Sequence, residues 1–512
     1  VTLGQRGYGR ALLAGSPGLA GGNLLYASES AHNDGPWRIP EKFHRSNGVL
    51  RYSVVDGAAR WTLTGMAYAA GWNATDQVPR RAVDAGLVDR FGAIDSTDGG
   101  QAARHSLSAA WQRRVPGGEW TGSAYLVHSR LDLFSNFTYF LDDRAGDQFE
   151  QAERRTLAGG ALGRRWTTTV GGREGSTTVG VQVRQDRIHP VGLYATTGRA
   201  RTATVLESQV RETSWALYAR NDTQWTGWLR SIAGVRADRF AFDVASPTTQ
   251  DGGRRDATIL TPKLSLVAGP WRSTEFFLNA GHGFHSNDAR GTLPRLAPRG
   301  VLPANAVTPL VRSRGAELGV RTDIVPGLQS SFAAWWLKLA SELVFVGDAG
   351  DTEASRASRR HGIEWSNHYQ ATPWLLLDAD LALARARFTP DDPAGNAIPG
   401  AVDRVASLGA TVTRLGPWFG QFQLRHVGPR PLVEDRSRRS ASTTLASLRV
   451  GYRLTPQTRV VVDVFNLFDR KASDIDYFYT SRLRGEPAGG VDDIHFHPAE
   501  PRSVRMTLSH RF

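Results

Sequence analysis

The sequence predicts an all-β fold: a transmembrane, antiparallel, up-and-down β-barrel occupying residues 1–512 as a single domain. Three observations carry that prediction. Segments with period-two alternation recur from end to end, the connections between them alternate between short and long, and tryptophans collect at the short ones. No run approaches the roughly 18 apolar residues of a membrane helix, and the richest stretch, Trp374 to Leu377, is cut by Asp378 and Asp380. A chain with 40% hydrophobic residues, 54 glycines and 15 tryptophans is thus either soluble or a barrel whose strands escape a hydropathy scan.

The first candidate strands are Thr2–Ala14, Gly22–Ala31, His44–Val55, Trp61–Trp72, Gln101–Arg114, Glu119–Phe134 and Gln148–Trp166. The middle of the chain gives Ser176–Arg187, Arg211–Trp225, Leu229–Val244, Asp256–Gly269, Thr274–Ser286, Ser313–Asp323 and Leu328–Val346. Arg359–Ala371, Leu375–Thr389, Val402–Leu415, Phe419–Val427, Thr443–Leu454, Thr458–Phe468 and Ser503–Phe512 complete the series. Their faces differ: Val460, Val462 and Val464 form an apolar stripe, whereas Arg236 and Asp238 share a polar face opposite Val235 and Ala237. Charge is costly on the lipid side, so the polar faces are assigned to the lumen.

Short connections such as Asp56–Arg60, Val115–Gly118, Thr226–Trp228, Pro270–Ser273, Thr372–Trp374 and Gly416–Trp418 alternate with long polar ones. The long ones include Asn73–Gly100, Ser135–Asp147, Ile188–Val210, Asn287–Arg312, Pro390–Ala401, Gly428–Ser442 and Asp469–Arg502. A soluble sandwich has no reason to segregate turns by end, whereas outer-membrane barrels do. Trp61, Trp111, Trp120, Trp166, Trp225, Trp228, Trp271, Trp374 and Trp418 all lie near a short turn, as an aromatic girdle requires. The last strand, Ser503–Phe512, must run toward the short-turn end, and counting back makes the first strand run the same way. That parity gives about 21 visible strands of an inferred 22, with one upward strand expected ahead of Val1. A lumen of that width exceeds what side chains fill, so a plug is expected as well.

Composition removes several function classes. With no cysteine there are no disulfides, thiolate metal sites or cysteine nucleophiles. The net charge of +13 comes mostly from arginine spread along the chain, without a basic helix, RNA-binding aromatic motif or zinc spacing, so no nucleic-acid partner is expected. An arginine-rich lumen and rim accounts for the charge. The start at Val1, mid-pattern and without a signal peptide, reads as part of a longer precursor.

Several segments carry a family resemblance: Ala216 to Asn221, Trp228-Leu229-Arg230, Gly234 to Phe240, Thr261 to Leu266 and Gly281 to Gly291. The run Val462-Asp463-Val464-Phe465-Asn466-Leu467-Phe468-Asp469, with Arg502 and the terminal Phe512, completes the set. Together they resemble TonB-dependent outer-membrane receptors over the whole chain. The resemblance implies an integral outer-membrane barrel that takes up a scarce large solute: a ferric siderophore, cobalamin, haem or an oligosaccharide. Energy would be coupled through TonB by way of a plug domain that these residues do not include. Lipopolysaccharide and outer-membrane lipid are implied partners, and Phe512 is the implied signal for the barrel-assembly machinery. The alternatives are a passive diffusion pore and a barrel enzyme, both of which usually have fewer strands.

No catalytic constellation, cofactor or metal site is expected. His282 and His285, with Ser286 between them and Asp288, face opposite sides of a strand. His495 and His497 share a face near Asp492 and Asp493, but a polar pair in a long loop is ordinarily solvated. Candidate ligand contacts are the loop residues Phe137, Tyr139 and Asp142, then Arg290, then Tyr477, Tyr479 and Arg482. Aromatics beside arginine stack on sugars or aryl chelators and pair with their anionic groups. Packing of loop against loop selects the same residues.

Overall fold

In the computed structural model the described residues are all but 144, 247–251, 294–306, 342, 347–350 and 355, with the backbone alone described for 343–346 and 351–354. Twenty-two antiparallel strands close into one ring. They are β1 (Thr2–Gly4), β2 (Gly9–Gly15), β3 (Gly22–Asn33), β4 (Phe43–Asp56), β5 (Ala59–Asn73), β6 (Gly99–Val115), β7 (Gly118–Ser135) and β8 (Phe149–Val170). Then come β9 (Arg173–Thr197), β10 (Ala200–Thr226), β11 (Leu229–Ala245), β12 (Gly253–Trp271), β13 (Thr274–Ser286), β14 (Leu310–Thr322) and β15 (Leu328–Leu339). The ring finishes with β16 (Ala357–Thr372), β17 (Leu375–Thr389), β18 (Arg404–Leu415), β19 (Trp418–Val427), β20 (Thr443–Arg453), β21 (Thr458–Phe465) and β22 (Ser503–His510). A two-residue strand, Gly18–Leu19, adds to β3 below the ring.

The total of 22 agrees with the parity argument, but the missing partner lies inside the chain. Thr2, Leu3 and Gly4 pair with Thr507, Met506 and Arg505 of β22, and Thr2 Oγ1 meets Thr507 Oγ1 at 2.9 Å. The segment expected as a single strand, Thr2–Ala14, is a hairpin. Arg6 at φ 58° and Gly7 at φ 70° turn the chain between β1 and β2, a tight-turn conformation that glycine favours but arginine does not advertise. The ring therefore closes with β1 as the upward strand placed ahead of Val1 by the sequence.

A second difference lies at Ile188–Val210, expected as a loop. Here β9 and β10 run on as an extended hairpin to the two-residue turn Gly198-Arg199, with φ of 57° and 66°. Pro190 conceals it from sequence reasoning, because proline disfavours a paired strand; it sits where the register slips between Ile188 and Val191.

The faces follow the expected alternation. Leu50, Leu63, Leu107, Leu126, Val181, Trp215, Leu217, Met506 and Leu508 are exposed on the outer face. At the short-turn end Trp61 lies 5.8 Å from Trp111 and Trp228 lies 5.6 Å from Trp271, ring centroid to centroid. On the inner face Arg505 aligns with Asp463 of β21, which binds Arg449 Nε at 2.6 Å, so Arg505 faces the lumen as expected.

Candidate functional site

Two places at the long-loop half bring functional groups together. The first is a cavity of about 650 Å³ on the inner wall of β8–β11, roofed by the segment after β13. Alternation puts residues i and i+2 of a strand on one face, and three of the four strands β8–β11 use that spacing for an ion pair. Glu153 meets Arg155 at 2.9 Å, Asp186 meets Arg184 at 2.6 Å and Asp238 meets Arg236 at 2.8 Å. Arg155 also reaches Asp186 at 3.5 Å across strands.

In two of these pairs the partners are unequally exposed. The side chains of Asp186 and Asp238 are 6% and 2% exposed, whereas those of Arg184 and Arg236 are 50% and 36% exposed. Those two carboxylates are spent behind their guanidiniums, which face the cavity as hydrogen-bond donors, while Glu153 and Arg155 are exposed alike, at 30% and 33%. The roof is a short turn of 3₁₀ helix, Ala289–Thr292, capped by Asp288, whose carboxylate accepts from the Arg290 backbone N–H at 2.9 Å. Ala289 and Leu293 are buried against Val210, Phe242, Val244, Ile259 and Leu310, which pins the turn to the wall. Arg290 forks onto Asp288 at 2.6 Å and lines the cavity.

The second place is a cluster of long loops. The segment after β21 is itself a hairpin, Ser473–Ser481 with Val491–Pro498, and Val78–Pro79 adds a third short strand through His495 and Phe496. A one-turn helix, Arg80–Asp84, follows and places Arg81 against the hairpin. Arg81 binds Glu486 at 2.8 Å through Nε and Nη2, donates to Ser481 Oγ at 3.0 Å and lies 3.5 Å from Asp493. Ser481 Oγ meets His495 Nε2 at 2.7 Å, and His495 Nδ1 meets the Asp493 carbonyl at 3.0 Å. That carbonyl can only accept, so Nδ1 carries the proton and Nε2 accepts from the Ser481 hydroxyl. Ser481 and His495 are both fully buried, and Arg81 donates into the hydroxyl, so this Ser–His contact is a structural chain rather than an accessible nucleophile and base.

Three of the seven expected contact residues meet here. Tyr139 is buried and donates its hydroxyl to the Gln77 carbonyl at 2.7 Å; Gln77 Nε2 donates to Tyr479 Oη at 3.1 Å; Tyr479 stacks on His495 at 3.7 Å. Arg482 donates to the Phe140 carbonyl at 3.3 Å. Their polar atoms are directed at other loops. Phe137 packs edge-on against Phe149, Asp142 and Tyr477 are exposed, and only Arg290 reaches the cavity. Phe512 is fully exposed beyond the end of β22. The cavity arginines were not singled out from sequence as a group; the signal available was the recurrence of acid and arginine at i and i+2 on β8, β9 and β11.

Burial perturbs the loop groups. The Asp98 carboxyl, 2% exposed and close to Asp76 and Asp95, is pushed up to about 9, and that of Asp76 is pushed up to about 6. Burial pushes His495 down to about 4, keeping it neutral. His497 instead packs on Trp37 at 4.5 Å, so the two histidines do not share a ligand, and among the described residues no group of three His, Asp or Glu side chains is arranged to hold a metal ion.

The chain matches the family model of the TonB-dependent receptor-like β-barrel over residues 36–467. Its fold is similar to that of the ferric-catecholate import receptor Fiu from E. coli K12, at 13% identity and a TM-score of 0.78, covering 100% of this chain and 81% of that one. The ferric citrate transporter FecA is similar at 14% identity and a TM-score of 0.79, covering 100% and 77%. The ferric yersiniabactin uptake receptor FyuA from Yersinia pestis is similar at 15% identity and a TM-score of 0.78, covering 100% and 79%. No curated protein sequence is significantly similar to the chain. The structural relatives are receptors and transporters rather than enzymes. With a 22-strand ring, an apolar outer face and a family model matched over most of its length, the chain belongs to the TonB-dependent receptor β-barrel family, an outer-membrane fold.

Proposed function

We propose that this barrel sits in the bacterial outer membrane and imports a large, oxygen-rich, anionic solute, a ferric siderophore before cobalamin, haem or an oligosaccharide, with energy coupled through TonB. The single observation that carries the solute class is the inner wall of β8–β11. There the guanidiniums of Arg184 and Arg236 stand in front of the buried Asp186 and Asp238, and Arg155 and Arg290 line the same cavity, so the surface offers a solute forked hydrogen-bond donors. Guanidinium forks match carboxylate and catecholate oxygens. The ferric-ligand receptors among the structural relatives support the same class. A ring of 22 strands is too wide for its own side chains to fill, which suits bulky cargo behind a gate better than selective passive diffusion.

The reading is tested by equilibrium binding of a solute panel to the intact receptor in outer-membrane vesicles. Ferric catecholate and ferric carboxylate complexes should bind with sub-micromolar affinity and lose it when metal-free. Preferential binding of a neutral oligosaccharide or of cobalamin would overturn the solute class.

A further inference from the structure

Among the described residues five carboxyl side chains line the cavity on β8–β11, and four of them have a guanidinium of their own. Glu153, Asp186 and Asp238 are held by Arg155, Arg184 and Arg236, and Asp288 in the roof by Arg290. The fifth, Glu212 on β10, has neither an ion pair nor a side-chain hydrogen bond.

The strand itself accounts for the difference. On β8, β9 and β11 an arginine stands two residues from the acid and so on its face, whereas the places two residues either side of Glu212 hold Val210 and Ser214. The neighbouring strands bring no free donor. Glu212 lies opposite Asp186 on β9 and opposite the buried Phe242 on β11. Its diagonal neighbours on β11 are Phe240 and Val244. On β9 the diagonal neighbour Arg184 forks onto Asp186, through Nε at 2.6 Å and Nη2 at 3.0 Å. A half-buried carboxylate between a second carboxylate and an apolar cluster is costly to leave without a partner.

The roof repeats the pattern. Asn287 lines the cavity and is 2% exposed; its Nδ2 donates to the Thr308 carbonyl at 2.7 Å, while its buried Oδ1 has no partner. Donors therefore face the cavity from Arg184 and Arg236, and unanswered acceptors stand at Glu212 and Asn287.

A purely anionic chelate satisfies the arginines and is repelled by Glu212. What answers Glu212 is a positive charge. Phe240 and Phe284, which line the cavity and meet edge to face at 5.9 Å, add an aromatic surface of the kind on which a cation also rests. An ammonium brings three N–H donors and a charge, whereas a hydroxyl brings one donor and none.

We propose that Glu212 is a specificity-determining residue, selecting a cargo that bears a protonated amine as well as the anionic oxygens bound by the arginines. The proposal rests on the ferric-chelate reading above and narrows it to amphoteric chelates.

The test compares three synthetic ferric tris-catecholates that share one scaffold and differ in a single side arm: a primary amine, its N-acetyl derivative or a hydroxyl. Equilibrium binding to the intact receptor in outer-membrane vesicles should favour the amine form over both others by at least about tenfold. In Glu212→Gln the three should bind within about threefold of one another, with the loss falling on the amine form. An equal loss for all three is what a merely structural role gives, and it overturns the proposal. Asp256→Asn, which removes a carboxyl outside the cavity paired with Arg239 at 2.8 Å, should retain the amine preference. Heat-modifiable migration on gels verifies that each variant is folded. A hydroxyl form that binds as tightly as the amine form overturns the requirement for charge, and a preference that survives in folded Glu212→Gln overturns the role of this residue. If ferric chelates bind without regard to the amine, only this proposal fails; if no ferric chelate binds at all, the cargo reading fails and the proposal with it.

Discussion

Replacing Arg81 with Met should release the loop cluster while leaving the barrel intact. Arg81 lies 405 residues before Glu486, and its guanidinium joins the loop after β5 to the hairpin before β22 through Glu486, Asp493 and Ser481. Met retains most of the volume, so the main loss is charge and hydrogen bonding. Breaking a fully buried ion pair costs about 3–5 kcal/mol, because the remaining partner is left without compensation. Here the side chains of Arg81 and Glu486 are 19% and 22% exposed, so water recovers part of the loss and the expected cost is about 2–3 kcal/mol. At about 1.4 kcal/mol per factor of ten, amide exchange in 78–84 and 473–498 should accelerate by roughly 30- to 150-fold if opening is local. Hydrogen exchange followed by mass spectrometry on the intact receptor reads this directly, with β8–β11 as the internal control. Acceleration of less than about threefold, or equal acceleration in the barrel strands, would refute the view of Arg81 as the tie between these loops.

Four further outcomes follow from the same structure. The Asp76/Asp98 pair retains a proton that the unfolded chain gives up near pH 4, so its contribution is present in acid and is lost as pH rises through the pair's titration toward about 9. His495 acts oppositely: the unfolded chain binds its proton below about pH 6.5, so stability falls as pH drops from there toward about 4. Exchange protection of the loops should therefore decline between about pH 7 and 9, and Asp98→Asn should abolish that decline; an unchanged slope in the variant contradicts the assignment. Arg184→Lys keeps the charge beside Asp186 but loses the planar fork, so affinity for an oxygen-rich ferric complex should fall by roughly 5- to 30-fold in a titration. Deleting Phe512 should lower the amount of heat-modifiable barrel in the outer membrane, and normal levels would rule out its role as an assembly signal.

Much of the barrel was legible because its determinants are local and repeated. Alternation along Val460–Val464, turn length and the girdle tryptophans each report on a few neighbouring residues, and strand direction follows from them by counting. The misread places are also local. Arg6-Gly7 and Gly198-Arg199 form two-residue turns in which one member is an arginine with positive φ, which no common turn pair announces. Pro190 marked a strand as a loop because the register slip that accommodates it is invisible in one dimension. The loop cluster was illegible for a different reason. Tyr139 and Tyr479 were chosen for their chemistry, but what each faces is set by Gln77 and His495, residues remote in sequence for one or both of them. The cavity pairs fall between these cases: Arg236 and Asp238 were seen to share a face, while their alignment with Arg184 and Asp186 required the register of β9, β10 and β11.

The most direct test of the central claim is uptake of an iron-55-loaded siderophore by cells expressing the intact receptor, compared in TonB-replete and TonB-deficient backgrounds. An energised importer built on this barrel should accumulate iron only when TonB is present and should stop on collapse of the proton-motive force, with surface binding unchanged. Equal accumulation in both backgrounds would contradict the account and make the protein a passive pore.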